Sequence, residues 1–465
     1  MEETLQEYLD SLKGKKVAVL GIGVSNTPLI KLLLRAGIRV TACDKATRED
    51  LGGVAEELES LGAQLSLGED YLKRLKHDVI FRTPGMRPDL PELAKAVERG
   101  SELTSEMEVF FRVCPCPILA VTGSDGKTTT TTMIAQLLRA AGYNTYLGGN
   151  IGKPLLADVK GMEPDDRVVV ELSSFQLMTM KHSPHVAVVT NLAPNHLDVH
   201  TSMEEYIQSK ENIFNHQNAG DRVIFNYDNP ITRELGENRE LVGQRTWFSR
   251  KEILEPGVCV RNGAIWVYQE DGTRREVLPL EDILLPGEHN IENYMAAIAA
   301  VDGMVPDAVV RDFAKRFTGV EHRIELVREK NGVRYYNDSI ASSPSRTIAG
   351  LRCFENKVIL IAGGYDKQIP FEELGEEICK HVKCLVLNGA TADKIRAAVE
   401  TAPGYADGAP AITLFKTFEE AVKAAHALAQ EGDVVLMSPA CASFDQFKNF
   451  ALRGETFKQI VENLE

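Results

Sequence analysis

Short apolar runs alternate along this chain with longer stretches in which apolar residues recur every three or four positions. Lys16-Val-Ala-Val-Leu20, Val40-Thr-Ala-Cys43, Val79-Ile-Phe81, Ile118-Leu-Ala-Val121, Val168-Val-Val170 and Val186-Ala-Val-Val189 are of the first kind. So are Val333-Arg-Tyr-Tyr-Asn337, Val358-Ile-Leu-Ile-Ala362, Cys384-Leu-Val-Leu387 and Val434-Val-Leu-Met437. Nearly continuous apolar runs of this length are the pattern of strands buried on both faces, which are usually parallel and joined through helices. The helical periods between them, ending near Leu34 or running Met133 to Ala141, Met203 to Phe214 and Tyr294 to Val301, supply the crossovers. The predicted class is α/β with mostly parallel sheets. A chain of 465 residues is too long for one ordinary core. The Pro-punctuated Cys114-Pro-Cys-Pro117 and the neighbourhood of Gly319 mark boundaries, giving blocks 1–113, 114–319 and 320–465.

Chemistry gathers where these runs end. The Ile118 run passes into Thr122-Gly-Ser-Asp-Gly-Lys-Thr-Thr129 and then a helical period, the context of a phosphate-cradling loop. Gly123 and Gly126 let the backbone turn its N–H groups inward around Ser124 and Asp125, Lys127 can reach terminal phosphates, and the Thr128 hydroxyl can ligate Mg²⁺. Only two residues separate the glycines, against four in the common pattern. Glu171 ends the Val168 run, one strand from that loop, where a carboxylate can hold Mg²⁺. His196 and Asp198 follow the Val186 run, suited to metal or phosphate contact. Asn290 and Asn293 precede an apolar helix and either cap it or hold a purine. Lys210, in a helical stretch, reads by itself as a solvated face.

The first block opens like a Rossmann-type unit. Gly21-x-Gly23 frees a helix start, and Asp44 closes the next strand where a carboxylate can take ribose hydroxyls. The third glycine is absent, position 26 being Asn, which weakens a dinucleotide reading. Thr83-Pro-Gly-Met86 is a further turn on the same rim. In the third block, Asn337-Asp-Ser339, Gly363-Gly-Tyr-Asp-Lys367 and Ser438-Pro-Ala-Cys-Ala-Ser443 each follow an apolar strand, which predicts a site along one sheet edge. Arg323 can reach back towards phosphates.

Composition narrows the function classes. A formal net charge of −15 and a pI near 5.3 argue against a nucleic-acid partner, so an anionic substrate must meet local cations. No run approaches the ~18 apolar residues that span a bilayer, and the acidic, amphipathic N-terminus is neither signal nor transit peptide. A cytoplasmic, monomeric protein handling small molecules is expected. Eight scattered cysteines read as reduced packing residues.

Taken together, the motifs resemble those of the ATP-dependent Mur ligases over essentially the whole chain. The resemblance is carried by the loop at 122–129, Gly149-Asn-Ile-Gly152, Glu171-Leu-Ser-Ser-Phe-Gln176, His196-x-Asp198, His289-Asn290, His322-Arg323, Asn337-Asp-Ser339 and Ser438 to Phe450. It implies a Rossmann-like UDP-sugar domain, a central phosphate-loop ATPase-like domain and a Rossmann-like acceptor domain. The implied reaction joins D-glutamate to UDP-N-acetylmuramoyl-L-alanine through an acyl phosphate, in peptidoglycan synthesis. A sister ligase with another acceptor, or a non-catalytic nucleotide-binding regulator, is the alternative. The implied catalytic set is Lys127, Glu171, His196 and Lys210. Gly123, Ser124, Asp125, Gly126, Lys127, Thr128, Thr129, Asn290, Asn293, Arg323 and Asp338 are implied to bind ATP. Two Mg²⁺ ions would be held by Thr128, Glu171, His196 and Lys210, the last as a CO₂-derived carbamate. The UDP substrate would meet Gly23, Val24, Ser25, Asp44, Thr83, Gly85, Asn150 and His196, and D-glutamate would meet Ser342, Lys367, Ser443 and Phe450. One departure stands out: relatives commonly carry a lysine where this chain has Ile340.

Overall fold

The computed structural model describes residues 3–73, 75–194, 199–406 and 408–464. Its strands form three sheets. The first contains β1 (Lys16–Leu20), β2 (Arg39–Asp44), β3 (Gln64–Leu67), β4 (Val79–Phe81) and β5 (Glu102–Thr104), in the order β3-β2-β1-β4-β5 with every pair parallel.

The second sheet holds β6 (Ile118–Thr122), β7 (Thr145–Gly149), β8 (Arg167–Glu171), β9 (Val186–Val189), β10 (Arg222–Asn226), β11 (Gln244–Ser249), β12 (Gly257–Arg261), β13 (Ala264–Tyr268) and β14 (Arg274–Pro279). Its order is β14-β13-β12-β11-β10-β9-β6-β8-β7. The strands from β7 to β12 are parallel, and β12, β13 and β14 close the far edge as an antiparallel meander. The apolar-run reading did not register that meander, although β13 is a mostly buried apolar run (Ala264-Ile-Trp-Val-Tyr268); only β14, opening on Arg274 and Arg275, mixes polar with apolar positions.

The third sheet is built from β15 (Glu325–Lys330), β16 (Val333–Asn337), β17 (Val358–Ala362), β18 (Val382–Leu387), β19 (Ala411–Leu414) and β20 (Val434–Met437), ordered β15-β16-β20-β17-β18-β19. Only the edge strand β15 is antiparallel. Apolar clusters cover both faces: Leu360, Leu385, Ile378 and Ile395 on one, and Ile361, Val386, Val422 and Phe457 on the other. The mostly parallel α/β class read from the sequence is the observed one.

The described chain falls into two compact units, one of residues 1–280 with 291–313, the other of 281–290 with 314–465. The first two sheets share a unit because their apolar core is continuous. Val17, Ile30 and Phe81 from the first sheet and its helix, Phe110 from the Glu106–Val113 helix, and Ala120 and Val170 from the second belong to one buried cluster. All eight cysteines are free thiols, and Cys114 and Cys116 lie with their sulfurs 3.6 Å apart. No helix among the described residues is long and apolar enough to cross a membrane.

Candidate active site

The Gly-rich turn follows β6 and delivers the chain into the helix Lys127–Ala140. Gly126 sits at the N-cap with φ +75°, a left-handed conformation that glycine adopts without strain. A side chain on Gly123 would strike Thr190 Oγ1 at 2.0 Å, so the loop is pressed against the end of β9. Thr190 and Asn191 there lock its path. Thr190 Oγ1 donates to Asp125 O (2.6 Å), Asp125 N donates to Asn191 Oδ1 (3.0 Å), and Ser124 N donates to Asn191 O (2.8 Å). The helix start is thereby held open as an anion-binding end.

Around that end the predicted side chains converge. Thr128 Oγ1 donates to Glu171 Oε2 at 2.7 Å, and Asn150 Nδ2 donates to Glu171 Oε1 at 2.8 Å. Glu171 is only 2% exposed, and no cation among the described residues bonds it. A buried carboxylate paired with a hydroxyl at a phosphate loop is the donor set expected of a Mg²⁺ site, so Thr128 and Glu171 fit that ion. Lys127 Nζ folds back onto Gly123 O (3.0 Å) and Ser124 O (2.9 Å). Thr129 is buried in the first helical turn.

Lys210 corrects the solvated-face reading. It lies on the Met203–Glu211 helix, 2% exposed, and its Nζ donates to Thr122 Oγ1 (3.0 Å) and Gly123 O (2.9 Å). Its amine also lies 4.9 Å from the centre of the Tyr206 ring, whose hydroxyl bonds Ser124 Oγ at 3.0 Å. Burial, reinforced by the Lys127 charge on the same carbonyl, holds the Lys210 pKa well below that of an ordinary lysine, with Glu171 opposing. The helical period could not reveal this, since the polar face of that helix packs on the loop.

Asn293 proves not to be a cap. The helix runs Glu288–Val301, so both Asn290 and Asn293 lie within it. Asn293 Oδ1 accepts from Thr130 Oγ1 (3.2 Å) and sits where a Gly126 side chain would come, at 2.3 Å. Asn290 belongs to the second unit, its Nδ2 donating to Pro286 O at 2.7 Å. His196 and Asp198 lie outside the described residues.

On the first sheet, Gly21 has φ +92° and abuts Thr83, whose Cβ a side chain there would meet at 3.2 Å. The Asp44 carboxylate accepts from Ile22 N (2.5 Å) and Ala46 N (2.8 Å), bracing the turn that carries Gly23, Val24 and Ser25, all exposed. Sequence reasoning missed Arg82. Its guanidinium is buried and donates to Pro84 O (3.0 Å) and Met86 O (2.9 Å), clasping the turn that holds Thr83 and Gly85. It also donates to Phe175 O (2.8 Å) and Thr179 Oγ1 (2.9 Å), tying this rim to the segment after Glu171. Burial lowers its pKa to about 10. A charged residue just past an apolar strand was the signal available.

In the second unit, β16, β20 and β17 are adjacent, so the three predicted polar clusters share one sheet edge. The Asp338 carboxylate is buried, accepts from Ser438 Oγ (2.7 Å) and Ile324 N (3.3 Å), and is pushed up to about 7 by burial. Arg323 is flanked by His322 (φ +63°) and Ile324 (φ +44°), and left-handed conformations at two such residues cost about 1–3 kcal/mol each. Lys367 Nζ donates to Ser342 O at 3.4 Å. Ser443 is buried, and Phe450, half-exposed, has its ring edge-on to His322 and accepts from Ser339 Oγ at its carbonyl (2.7 Å). Arg453, also unforeseen, binds these loops together. It donates to Ser339 O (2.9 Å), Ser339 Oγ (3.0 Å), Cys441 O (3.1 Å) and Ala442 O (3.3 Å).

Fold and loop together define a phosphate-loop α/β protein, and comparison with known proteins gives its family. Residues 121–301 match the Mur ligase middle domain and residues 322–441 the Mur ligase, glutamate ligase domain. The chain belongs to the Mur ligase family. It is 54% identical to the UDP-N-acetylmuramoylalanine--D-glutamate ligase of Acetivibrio thermocellus and 53% identical to that of Ruminiclostridium cellulolyticum, each over 100% of both chains. Among solved structures it resembles the UDP-N-acetylmuramate-alanine ligase of Thermotoga maritima (TM-score 0.55, 18% identity, 96% of this chain and 99% of that one). It also resembles a UDP-N-acetylmuramoyl-L-alanyl-D-glutamate--2,6-diaminopimelate ligase (TM-score 0.56, 16% identity, 97% and 93% covered). These structural likenesses concern the fold.

Proposed function

We propose that this protein is an ATP-dependent ligase that joins D-glutamate to UDP-N-acetylmuramoyl-L-alanine in peptidoglycan synthesis. The observation that carries the reading is full-length identity of 54% to a ligase of that name, in a chain whose Thr128–Glu171 pair lies at the mouth of a phosphate loop. The substrate carboxylate attacks the γ-phosphorus of ATP, ADP leaves, and an acyl phosphate forms. The amine of D-glutamate then attacks the acyl carbon, inorganic phosphate leaves, and the amine proton is lost to give the amide. Such chemistry needs positioning and charge neutralisation, with no protein nucleophile.

Lys127 and the amides of Gly123 to Thr129 take the triphosphate, Asn290 and Asn293 the adenine, and Arg323 and Asp338 the rest of ATP. Thr128 and Glu171, with His196, hold Mg²⁺, which when bound supplies charge neutralisation at the phosphates. Gly23, Val24, Ser25, Asp44, Thr83, Gly85, Asn150 and His196 take the UDP substrate, and Ser342, Lys367, Ser443 and Phe450 the D-glutamate. Domain boundaries at 113/114 and 319/320 accompany this division of labour. We propose further that Lys210 carries a carbamate: burial against Thr122 and Gly123 disfavours its ammonium form, and the neutral amine nitrogen can add to CO₂ with loss of a proton. The test is phosphate release from Mg-ATP and UDP-N-acetylmuramoyl-L-alanine with D-glutamate, L-glutamate, L-lysine, glycine or diaminopimelate. Release with D-glutamate is expected, and release with another acceptor alone overturns the assignment.

A further inference from the structure

The loop after β16 reads Asn337-Asp-Ser-Ile-Ala-Ser-Ser343 and contains no cation. Two cations nonetheless rest on its carbonyl groups. Lys367 Nζ lies 3.4 Å from Ser342 O, and the Arg346 guanidinium lies 3.1 Å from Ile340 O. The same Ile340 oxygen accepts the Ser342 N–H at 2.8 Å, so Arg346 and Ser342 meet at one atom. Both cations are exposed, and among the described residues neither pairs with a carboxylate. Their neighbours differ. Lys394 is ion-paired with Asp366, and the Arg453 guanidinium is buried and committed to backbone oxygens and Ser339 Oγ.

The dipole of its own helix gives no reason for Arg346 to be where it is. It occupies the first turn of the helix Pro344–Leu351, which has no acidic residue in that turn, so its charge opposes the helix dipole. Its charge is also felt at buried Asp338 on the same sheet edge. Two exposed cations held about one loop, neither in an ion pair among the described residues and with only the buried Asp338 carboxylate near Arg346, suit a guest that brings two negative groups, and a planar guanidinium fork suits a carboxylate.

We propose that Arg346 and Lys367 form a paired site for a dicarboxylate amino acid, each taking one carboxylate of the acceptor, with Arg346 supplying the charge that position 340 lacks. This rests on the acceptor reading above. It makes Arg346 a specificity-determining residue, since an acceptor with a single carboxylate would leave one cation unanswered in a protein whose net charge of −15 repels the substrate overall.

The test uses the full chain with saturating ATP and UDP-N-acetylmuramoyl-L-alanine. Wild-type phosphate release with D-glutamate is measured first, and silence there overturns the acceptor reading and this site with it. Given release, Arg346→Ala is expected to raise the KM for D-glutamate roughly tenfold or more, the affinity of about one charge-assisted bond. The KM values for ATP and the UDP substrate should stay in place, and Arg346→Lys should recover part of the loss. The preference for D-glutamate over D-glutamine should collapse in either Arg346→Ala or Lys367→Ala, whichever faces the side-chain carboxylate. An unchanged KM for D-glutamate in Arg346→Ala overturns the pairing while leaving the ligase reading intact. So does a rise in the KM for ATP of the same size, or full retention of the D-glutamate preference in both variants.

Discussion

Gly126→Ala tests the geometry of the phosphate loop directly. At φ +75° an L-residue pays roughly 1–2 kcal/mol that glycine does not. The new methyl would also stand 2.3 Å from Asn293 Oδ1, about 1 Å inside the ~3.5 Å of ordinary contact. Either the loop or Asn293 must yield, and Asn293 holds Thr130 Oγ1 through a bond worth about 0.5–1.5 kcal/mol. The sum is about 1.5–3.5 kcal/mol, or a fall in Tm of roughly 3–7 °C at about 2 °C per kcal/mol. A loop displaced by about 1 Å also misaims its amides, and misplacement on that scale can cost about a hundredfold in rate. Thermal unfolding and the KM for ATP read the two effects separately. Gly161→Ala is the control, because its side chain would meet open space. Equal Tm and KM in Gly126→Ala and wild type would refute the argument that this position needs glycine.

Three further outcomes are expected. Lys210 has a folded pKa below its unfolded value, so its burial costs stability at low pH and that cost disappears as pH rises through the folded pKa towards the ordinary lysine value. Its carbamate should form increasingly with pH and bicarbonate, and intact-protein mass spectrometry under labelled bicarbonate showing no adduct would remove it. Asp338 behaves in the opposite sense. Raised to about 7 in the folded state, it contributes stability that is full below its unfolded pKa and is lost as pH rises through 7. Asp338→Asn should flatten that part of the denaturation profile, and an unaltered slope would refute burial as the dominant cause. Arg453→Met leaves Ser339 O and Cys441 O short of donors, at about 1–3 kcal/mol for each buried group, whereas Ala442 O keeps the Tyr365 N–H. Denaturant unfolding should show a loss of several kcal/mol, and a loss below about 1 kcal/mol would show the strut to be dispensable.

The sequence by itself determined where chemistry would collect. Strands such as Ile118–Thr122 and Arg167–Glu171 carry unbroken apolar runs, Ile118–Val121 and Val168–Val170, so the polar or glycine residues that end or follow them lie at a sheet edge whatever the details of packing. That rule found Gly123 to Thr129, Glu171, the Thr83 turn and the three clusters of the third sheet without knowledge of a single contact. Local pattern also specified the class, because buried parallel strands need crossover helices.

Tertiary structure decided what each polar side chain meets. Lys210 looks solvated in sequence because helical period reports polarity, whereas its burial depends on the loop folded against it from some 87 residues away. Asn293 looked like a cap because helix starts are read from one strand of sequence, and its contact with Thr130 spans 163 residues. Arg82, Arg346 and Arg453 carried no motif at all. A guanidinium can bridge several carbonyl groups at once, so its role is fixed by which loops the fold brings within reach of its fork, and that information is not local.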